Sequence, residues 1–140
     1  MALSASTLRV GDSRTTRVVE DLKRTQLVQY AGASGDYHPL HSDEVFATEI
    51  GGYKSIFAHG MLTMGMTGRA VTDFVGAGRL AKYGAQFRGQ VWPGDTLDTT
   101  VTVTALREEG GRRLADLTIA TVNQHGAEVL AGWATARIDE

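Results

Sequence analysis

The chain has 140 residues, with 14 Lys plus Arg against 16 Asp plus Glu and hence a net charge of −2. At 42% hydrophobic and 21% charged residues it has the make-up of one globular domain over residues 1–140, which excludes bulk disorder. It lacks the basic face that a nucleic-acid partner requires. No cysteine is present, so disulfides, thiolate nucleophiles and Cys-ligated metals are all excluded. Residues Met1 to Thr7 carry neither a charged leader region nor an apolar one, and no stretch reaches the roughly 18 apolar residues of a membrane span. The expectation is a cytoplasmic protein with no signal peptide and no membrane partner.

In chain order, a short strand is expected over Thr15–Asp21. A helix follows over Arg24–Ala33, with Leu27, Val28 and Ala31 at helical spacing. Ser34-Gly35-Asp36-Tyr37-His38-Pro39 cannot continue it, because Gly and Pro break helices and the residue before Pro avoids the helical region. Ser42 reads as the N-cap of a short helix through Ile50, with Asp43 and Glu44 in its first turn and Gly51-Gly52 at its end. His59-Gly60 opens a longer helix, Met61 to Val75, that is apolar almost all round and therefore expected to be buried.

The second half alternates with period two, the mark of half-buried strands. In Ala81–Val91, Ala81, Tyr83, Ala85, Phe87 and Val91 face one way and Lys82, Gln86, Arg88 and Gln90 the other. Pro93-Gly94-Asp95 turns the chain. Leu97, Thr99, Val101, Val103 and Ala105 mark the next inward face. Glu108-Glu109-Gly110-Gly111 is a hairpin loop, and Leu117, Ile119 and Thr121 lie in the strand beyond it. Gln124-His125-Gly126 turns again into a last strand, Glu128–Ile138, with Leu130, Ala134, Ala136 and Ile138 inward. Short turns between consecutive strands imply an antiparallel sheet. Five such strands wrapped on one buried helix make an α+β fold.

The densest ionisable cluster is Asp36-Tyr37-His38-Pro39-Leu40-His41-Ser42-Asp43, in the loop between helices. A loop stiffened by Pro39 can aim Asp36 and His41 at one point, and a carboxylate and an imidazole sharing a water form an acid/base pair. The plainer alternative is an Asp that caps loop amides with a His packed behind it. Two metal sets are also conceivable: His41 and Asp43 with the distant His125, or Asp36, His38 and His41. Against them, Asp43 reads as a first-turn helix acid and His125 as a turn residue. Gly60 offers a helix N-terminus that a ligand can approach closely, where an oxygen gaining negative charge would be stabilised. The alternative is that Gly60 only relieves crowding. His59 reads as structural, Ser34 as a helix-end residue outside any nucleophile elbow, and His38 as solvent-facing.

Three segments carry a resemblance: Tyr30-Ala-Gly-Ala-Ser-Gly-Asp-Tyr-His-Pro-Leu-His41, Ala58-His-Gly-Met-Leu-Thr63 and Val91-Trp-Pro-Gly-Asp-Thr-Leu97. In order and over nearly the whole chain, they resemble the MaoC-like dehydratases. That family includes the (R)-specific enoyl-CoA hydratases and the small 3-hydroxyacyl-ACP dehydratase subunits of mycolic-acid synthesis, and the catalytic subunit of the mycobacterial type is the nearest likeness. The resemblance implies a hot-dog fold that dimerises by joining sheets, as a homodimer or with a paralogous subunit. It implies hydration of trans-2-enoyl thioesters of CoA or ACP, and the reverse dehydration of (R)-3-hydroxyacyl thioesters. The family's Asp falls on Asp36, its His on His41 and its oxyanion-binding amide on Gly60, with Ser34, His38 and His59 as supporting neighbours. His38 stands where the family usually has an Asn that supports the loop. The implied chemistry needs no metal and no redox cofactor. The competing readings are a hot-dog thioesterase, which usually places a carboxylate on the central helix, and a non-catalytic acyl-binding subunit, which would not need the Asp36/His41 pair.

Overall fold

The computed structural model describes residues 7–139. Residues 1–6, on which the expectation about a leader mostly rests, and residue 140 lie outside the described residues. The elements run β1 (Ser13–Val19), α1 (Arg24–Ser34), α2 (Gly60–Val75), β2 (Leu80–Phe87), β3 (Leu97–Glu109), β4 (Arg112–Val122) and β5 (Glu128–Arg137). A 3-10 turn, Pro39–His41, and a π-helical turn, Phe46–Ile50, lie between α1 and α2. The strands form one antiparallel sheet in the order β1-β3-β4-β5-β2. Helix α2 is laid across one face of it, so the expected five-strand α+β arrangement is what the chain adopts. Among the described residues no helix is long and apolar enough to cross a membrane.

Alternation along the strands builds the core. Val101 and Val103 of β3, Leu117 and Ile119 of β4, and Leu130, Ala134 and Ala136 of β5 pack against Val71, Phe74 and Val75 of α2. A second cluster surrounds the N-terminal end of α2. There Leu62 clusters with Leu22, Leu27, Ala47, Ile56, Ala58, Val91, Leu97 and Val129. This second cluster seats α1 and the loops on the sheet, and so determines where the loop residues can point. Between the clusters, along each element, comes a threonine: Thr67 on α2, Thr99 on β3 and Thr121 on β4, all fully buried. Thr121 Oγ1 lies 2.8 Å from Thr67 Oγ1 and 2.7 Å from Thr99 Oγ1. A buried hydroxyl needs a partner, and each of these finds one in another element, which fixes α2 on the sheet.

Four local expectations are corrected. Helix α2 is not buried all round: Met61, Gly65, Arg69 and Asp73, four residues apart, form an exposed stripe. The two charged residues on that stripe are the physical reason, and Arg69 pairs with Asp73 at 3.9 Å. Strand β2 stops at Phe87 rather than Val91, and the Phe87 ring is 51% exposed rather than inward. As the last residue of an edge strand, Phe87 lies beyond the sheet's cover and leans on the start of α2. Asp43, not Ser42, caps the turn after His41, because its Oδ1 accepts the Phe46 N–H at 3.1 Å. Val129 and Thr135 are buried although they alternate with the inward residues of β5, Val129 because the second cluster covers it.

Replacing Thr121 with Val removes the middle of the threonine chain and leaves two buried hydroxyls short of a partner. Thr121→Val should lower the unfolding free energy by about 1–3 kcal/mol. The loss would be read as a lower urea midpoint at an unchanged slope; an unchanged midpoint would contradict the assignment.

Candidate active site

The loop that carries Asp36 and His41 is built by a chain of short-range hydrogen bonds. Helix α1 ends where Gly35 takes a left-handed conformation, φ +76°, which costs a residue without Cβ nothing. The Gly35 N–H returns to the Ala31 carbonyl at 3.0 Å. Ser34 Oγ accepts the Asp36 N–H at 3.1 Å, and Asp36 Oδ1 accepts the His38 N–H at 3.2 Å. His38 Nδ1 then accepts the Leu40 N–H at 3.3 Å and caps the Pro39–His41 turn. His38 thus uses a ring nitrogen to satisfy a loop amide two residues ahead, as Asn and Asp side chains commonly do.

His41 points inward from this loop. Its Nδ1 lies 2.7 Å from the Phe57 carbonyl oxygen. A carbonyl only accepts, so Nδ1 carries the proton and Nε2 presents a lone pair. The ring stacks on His59 with centroids 3.9 Å apart and packs edge-on against Phe57 at 5.1 Å. Burial is the main cause that pushes the His41 imidazole below its ordinary value. The Phe57 carbonyl pulls the other way, His59 adds to the lowering, and Asp36 opposes it more weakly.

His59 is buried, with only 2% of its surface accessible. Its Nε2 donates to the Asp36 backbone carbonyl at 2.9 Å and lies 4.0 Å from Asp36 Oδ2. Tyr30 meets the ring edge-on at 4.8 Å. Polar atoms of Asp36, His41 and His59, one from each, lie within 4.8 Å of one another. Two acceptors bridged by one water, at about 2.8 Å from each and a tetrahedral angle, are about 4.5 Å apart. The cluster therefore has the dimensions for a shared water, with the Asp36 side chain 54% exposed and the two rings behind it.

Beside the cluster, α2 begins. His59 is its N-cap and makes no side-chain capping bond, and the Gly60 N–H has no protein acceptor among the described residues. That free donor sits at the positive end of a 16-residue helix. A Cβ on Gly60 would lie 2.9 Å from the Phe87 ring, so any larger residue there would have to push that half-exposed ring aside. A cleft of about 340 Å³ opens here, lined by Phe57, Ala58, Gly60, Phe87, Arg88, Gly89 and Gln90. Asp36 and His41 are not in its wall. It borders them through Phe57, whose carbonyl holds His41, and through Gly60, which follows His59.

The residues missing from the sequence reading are those that hold Phe57. Glu44 Oε2 accepts from the Ile56 N–H at 3.2 Å, from Ser55 Oγ at 3.3 Å and from Arg24 at 2.6 Å. The Arg24 guanidinium is the main cause holding the Glu44 carboxyl below its usual range. The Phe57 N–H reaches the Leu40 carbonyl at 3.3 Å, and the Ala58 N–H reaches Val91 at 2.8 Å. Glu44 is thus a strut between α1 and the Phe57 strip rather than only a first-turn acid. Asp95 pins the Val91-Trp-Pro-Gly-Asp turn, accepting the Trp92 N–H and Gln124 Nε2, each at 2.9 Å. Tyr53, Phe57 and Trp92 form an aromatic group over this strip.

Asp36, His41 and His59 are the one group of at least three His or acidic side chains close enough to share an ion among the described residues. His59 Nε2 already faces the Asp36 carbonyl, so a cation would compete with that bond for His59, whereas His41 keeps Nε2 open. His125 and Asp43 do not join such a group, and His38 spends Nδ1 on the Leu40 amide. The carboxylate nearest a thioesterase position, Asp73, lies about 20 Å along α2 from Gly60 by helix rise. It is exposed and lines a separate hollow with Arg17, Gln26 and Met66.

A helix-on-sheet fold with this cluster at the helix start defines a class. The family described as MaoC like domain matches residues 5–125, and the chain belongs to that family. It is 38% identical over 98 residues to "3-hydroxyacyl-thioester dehydratase Y" of Mycobacterium tuberculosis, a match covering 68% of this chain and 32% of that protein. The chain thus spans about a third of that relative's length. It is 30% identical over 138 residues to the "(R)-specific enoyl-CoA hydratase" of Aeromonas caviae, covering 97% of this chain and 99% of that one. Among solved structures, the (R)-hydratase from A. caviae involved in PHA biosynthesis superimposes with a TM-score of 0.83 at 27% identity, over 95% of this chain and 98% of that one. The hot-dog fold follows from that superposition.

The lowered His41 value has a sign that can be tested. Below the ordinary His value of about 6.5 the unfolded chain takes up a proton that folded His41 refuses. Stability should therefore fall as the pH drops through that region, with no contribution from His41 above it. The ring protons of His41 should titrate by NMR with a midpoint below about 6.5; a midpoint at or above that value would contradict the burial argument.

Proposed function

We propose that the chain is a hydro-lyase that adds water to trans-2-enoyl thioesters of CoA or acyl carrier protein and, in reverse, dehydrates (R)-3-hydroxyacyl thioesters. The observation that carries the reading is the convergence of the Asp36 carboxylate and His41 beside the free Gly60 amide. The names of the A. caviae and M. tuberculosis relatives support it.

The chemistry follows from where charge develops. As the water oxygen bonds to C3, the C2–C3 π electrons move toward C2 and into the thioester carbonyl, giving an enolate. The Gly60 N–H and the α2 dipole stabilise that oxygen; one such donor is worth about 3 kcal/mol. His41 Nε2 takes a proton from the water, because Nδ1–H is held on Phe57 and only Nε2 is a base. Asp36 orients the same water, and the pair passes the proton that His41 took on to C2. The product has gained one hydroxyl at C3 and one hydrogen at C2, and the pair returns to its starting protonation. No step requires a metal or a redox cofactor.

The same reading has the protein working in the cytoplasm as a homodimer, or paired with a paralogous subunit. The unpaired edge of β2, with Phe87 half exposed beside it and Trp133 half exposed on neighbouring β5, supports such an assembly. A non-catalytic acyl-binding subunit would have no use for the convergent acid and imidazole.

Asp36→Asn and His41→Ala should each lower kcat for crotonyl-CoA hydration by about 10²–10⁴-fold. Both variants should melt like the parent protein, and a chelator should leave the parent rate unchanged. Near-parental turnover by either variant would sink the assignment, and release of free thiol from acyl-CoA would favour the thioesterase instead.

A further inference from the structure

We propose that His59 is a positioning residue, whose Nε2–H donor ties Asp36 to the start of α2 and thereby sets the spacing of the acid, the base and the oxyanion donor. The inference rests on the hydratase reading above.

Asp36 sits in an exposed loop, and its other hydrogen bonds are local. Its N–H goes to Ser34 Oγ, and its Oδ1 receives the His38 N–H, each two residues away. The far end of the loop is tied to Phe57 through Leu40 and His41, but none of these bonds holds Asp36 itself to a distant part of the chain. Among the described residues, the bond that does so is His59 Nε2–H to the Asp36 carbonyl at 2.9 Å, spanning 23 positions. His59 is immediately followed by Gly60, so the residue whose side chain anchors Asp36 also shares a peptide bond with the free N–H. Its ring stacks on His41 at 3.9 Å, which spaces the second member of the pair. One buried residue thus holds the backbone of Asp36, stacks on His41 and adjoins Gly60 in the chain.

The arrangement is costly, which argues that His59 is more than filling. His59 Nδ1 is buried and has no hydrogen-bond partner among the described residues. A buried polar atom left unsatisfied lowers stability, and an apolar side chain of similar shape would avoid that cost. Only the Nε2 donor offsets it, and that donor is spent on Asp36. A positioning role predicts loss of kcat with little change in KM, because substrate still binds while the shared water is misplaced; a shift of the reacting groups by about 1 Å can cost about 10²-fold.

Three variants separate the donor from the ring. His59→Gln places an amide N–H near Nε2, His59→Met matches Gln in shape without a donor, and His59→Phe keeps a ring without a donor. On crotonyl-CoA, His59→Gln should hold kcat within about five-fold of the parent protein, whereas His59→Met and His59→Phe should lose about 50-fold or more, with KM changed less than about three-fold. Thermal melts identify any variant that fails to fold, and the surviving donor/no-donor pair then decides. If the donorless variants keep kcat, or if His59→Gln loses as much as His59→Met, the positioning role is overturned. Parental activity that is abolished by Asp36→Asn but insensitive to His59 would overturn this inference alone. A parent protein that does not hydrate the substrate would overturn the reading beneath it.

Discussion

The hydrogen bond from His41 Nδ1 to the Phe57 carbonyl is the interaction on which the site depends. It decides which nitrogen carries the proton, and so turns an imidazole that could serve as donor or acceptor into a base with one defined lone pair. A backbone carbonyl can do this only if its strip of chain is held still. The strip from Ser55 to Ala58 is held at three points: by Glu44 through Ser55 and Ile56, by Leu40 through the Phe57 N–H, and by Val91 through the Ala58 N–H. The three anchors belong to different parts of the chain. Precision at one nitrogen therefore depends on the packing of α1, the loops and the turn before β3.

The fold supplies the remaining constraint by dividing labour along α2. The C-terminal half of the helix is packed by aliphatic side chains of the sheet and provides stability. The N-terminal end is surrounded by loops, and its first amide has no acceptor among the described residues. Between them the Thr67–Thr121–Thr99 chain fixes the position of the helix on the sheet with directional bonds. A purely apolar contact would allow sliding, and sliding would move Gly60 relative to the loop that carries Asp36. The charged stripe at Arg69 and Asp73 lies on the side of α2 away from this work.

Much of this was readable from residue order alone. Period-two alternation located the sheet, because a strand with one buried face leaves no other pattern. The loop broken by Gly35 and Pro39 and the glycine at the head of the apolar helix singled out Asp36, His41 and Gly60 separately, and the family resemblance joined them in one site. What escaped reading has a common cause. The Phe57 carbonyl has no side-chain signature, since every residue carries one. Glu44 looked like a helix-end acid because its partners, Arg24 and the Ile56 amide, are distant in sequence. Asp43 displaced Ser42 as cap through a loop geometry that composition does not encode. Phe87 kept the inward phase of its strand but, as the last residue of an edge strand, is left half exposed. His59 looked structural because a buried histidine usually is, and only its contact with the Asp36 carbonyl gives that burial a purpose.

The central claim is that Asp36 and His41 act on one water as a unit. A double-mutant cycle on kcat tests it most directly, using Asp36→Asn, His41→Ala and the combination. If the two share one water, removing the second after the first should cost little, and the double variant should be within about three-fold of the slower single variant. If the two losses multiply, each residue acts on a separate step and the shared-water account is contradicted.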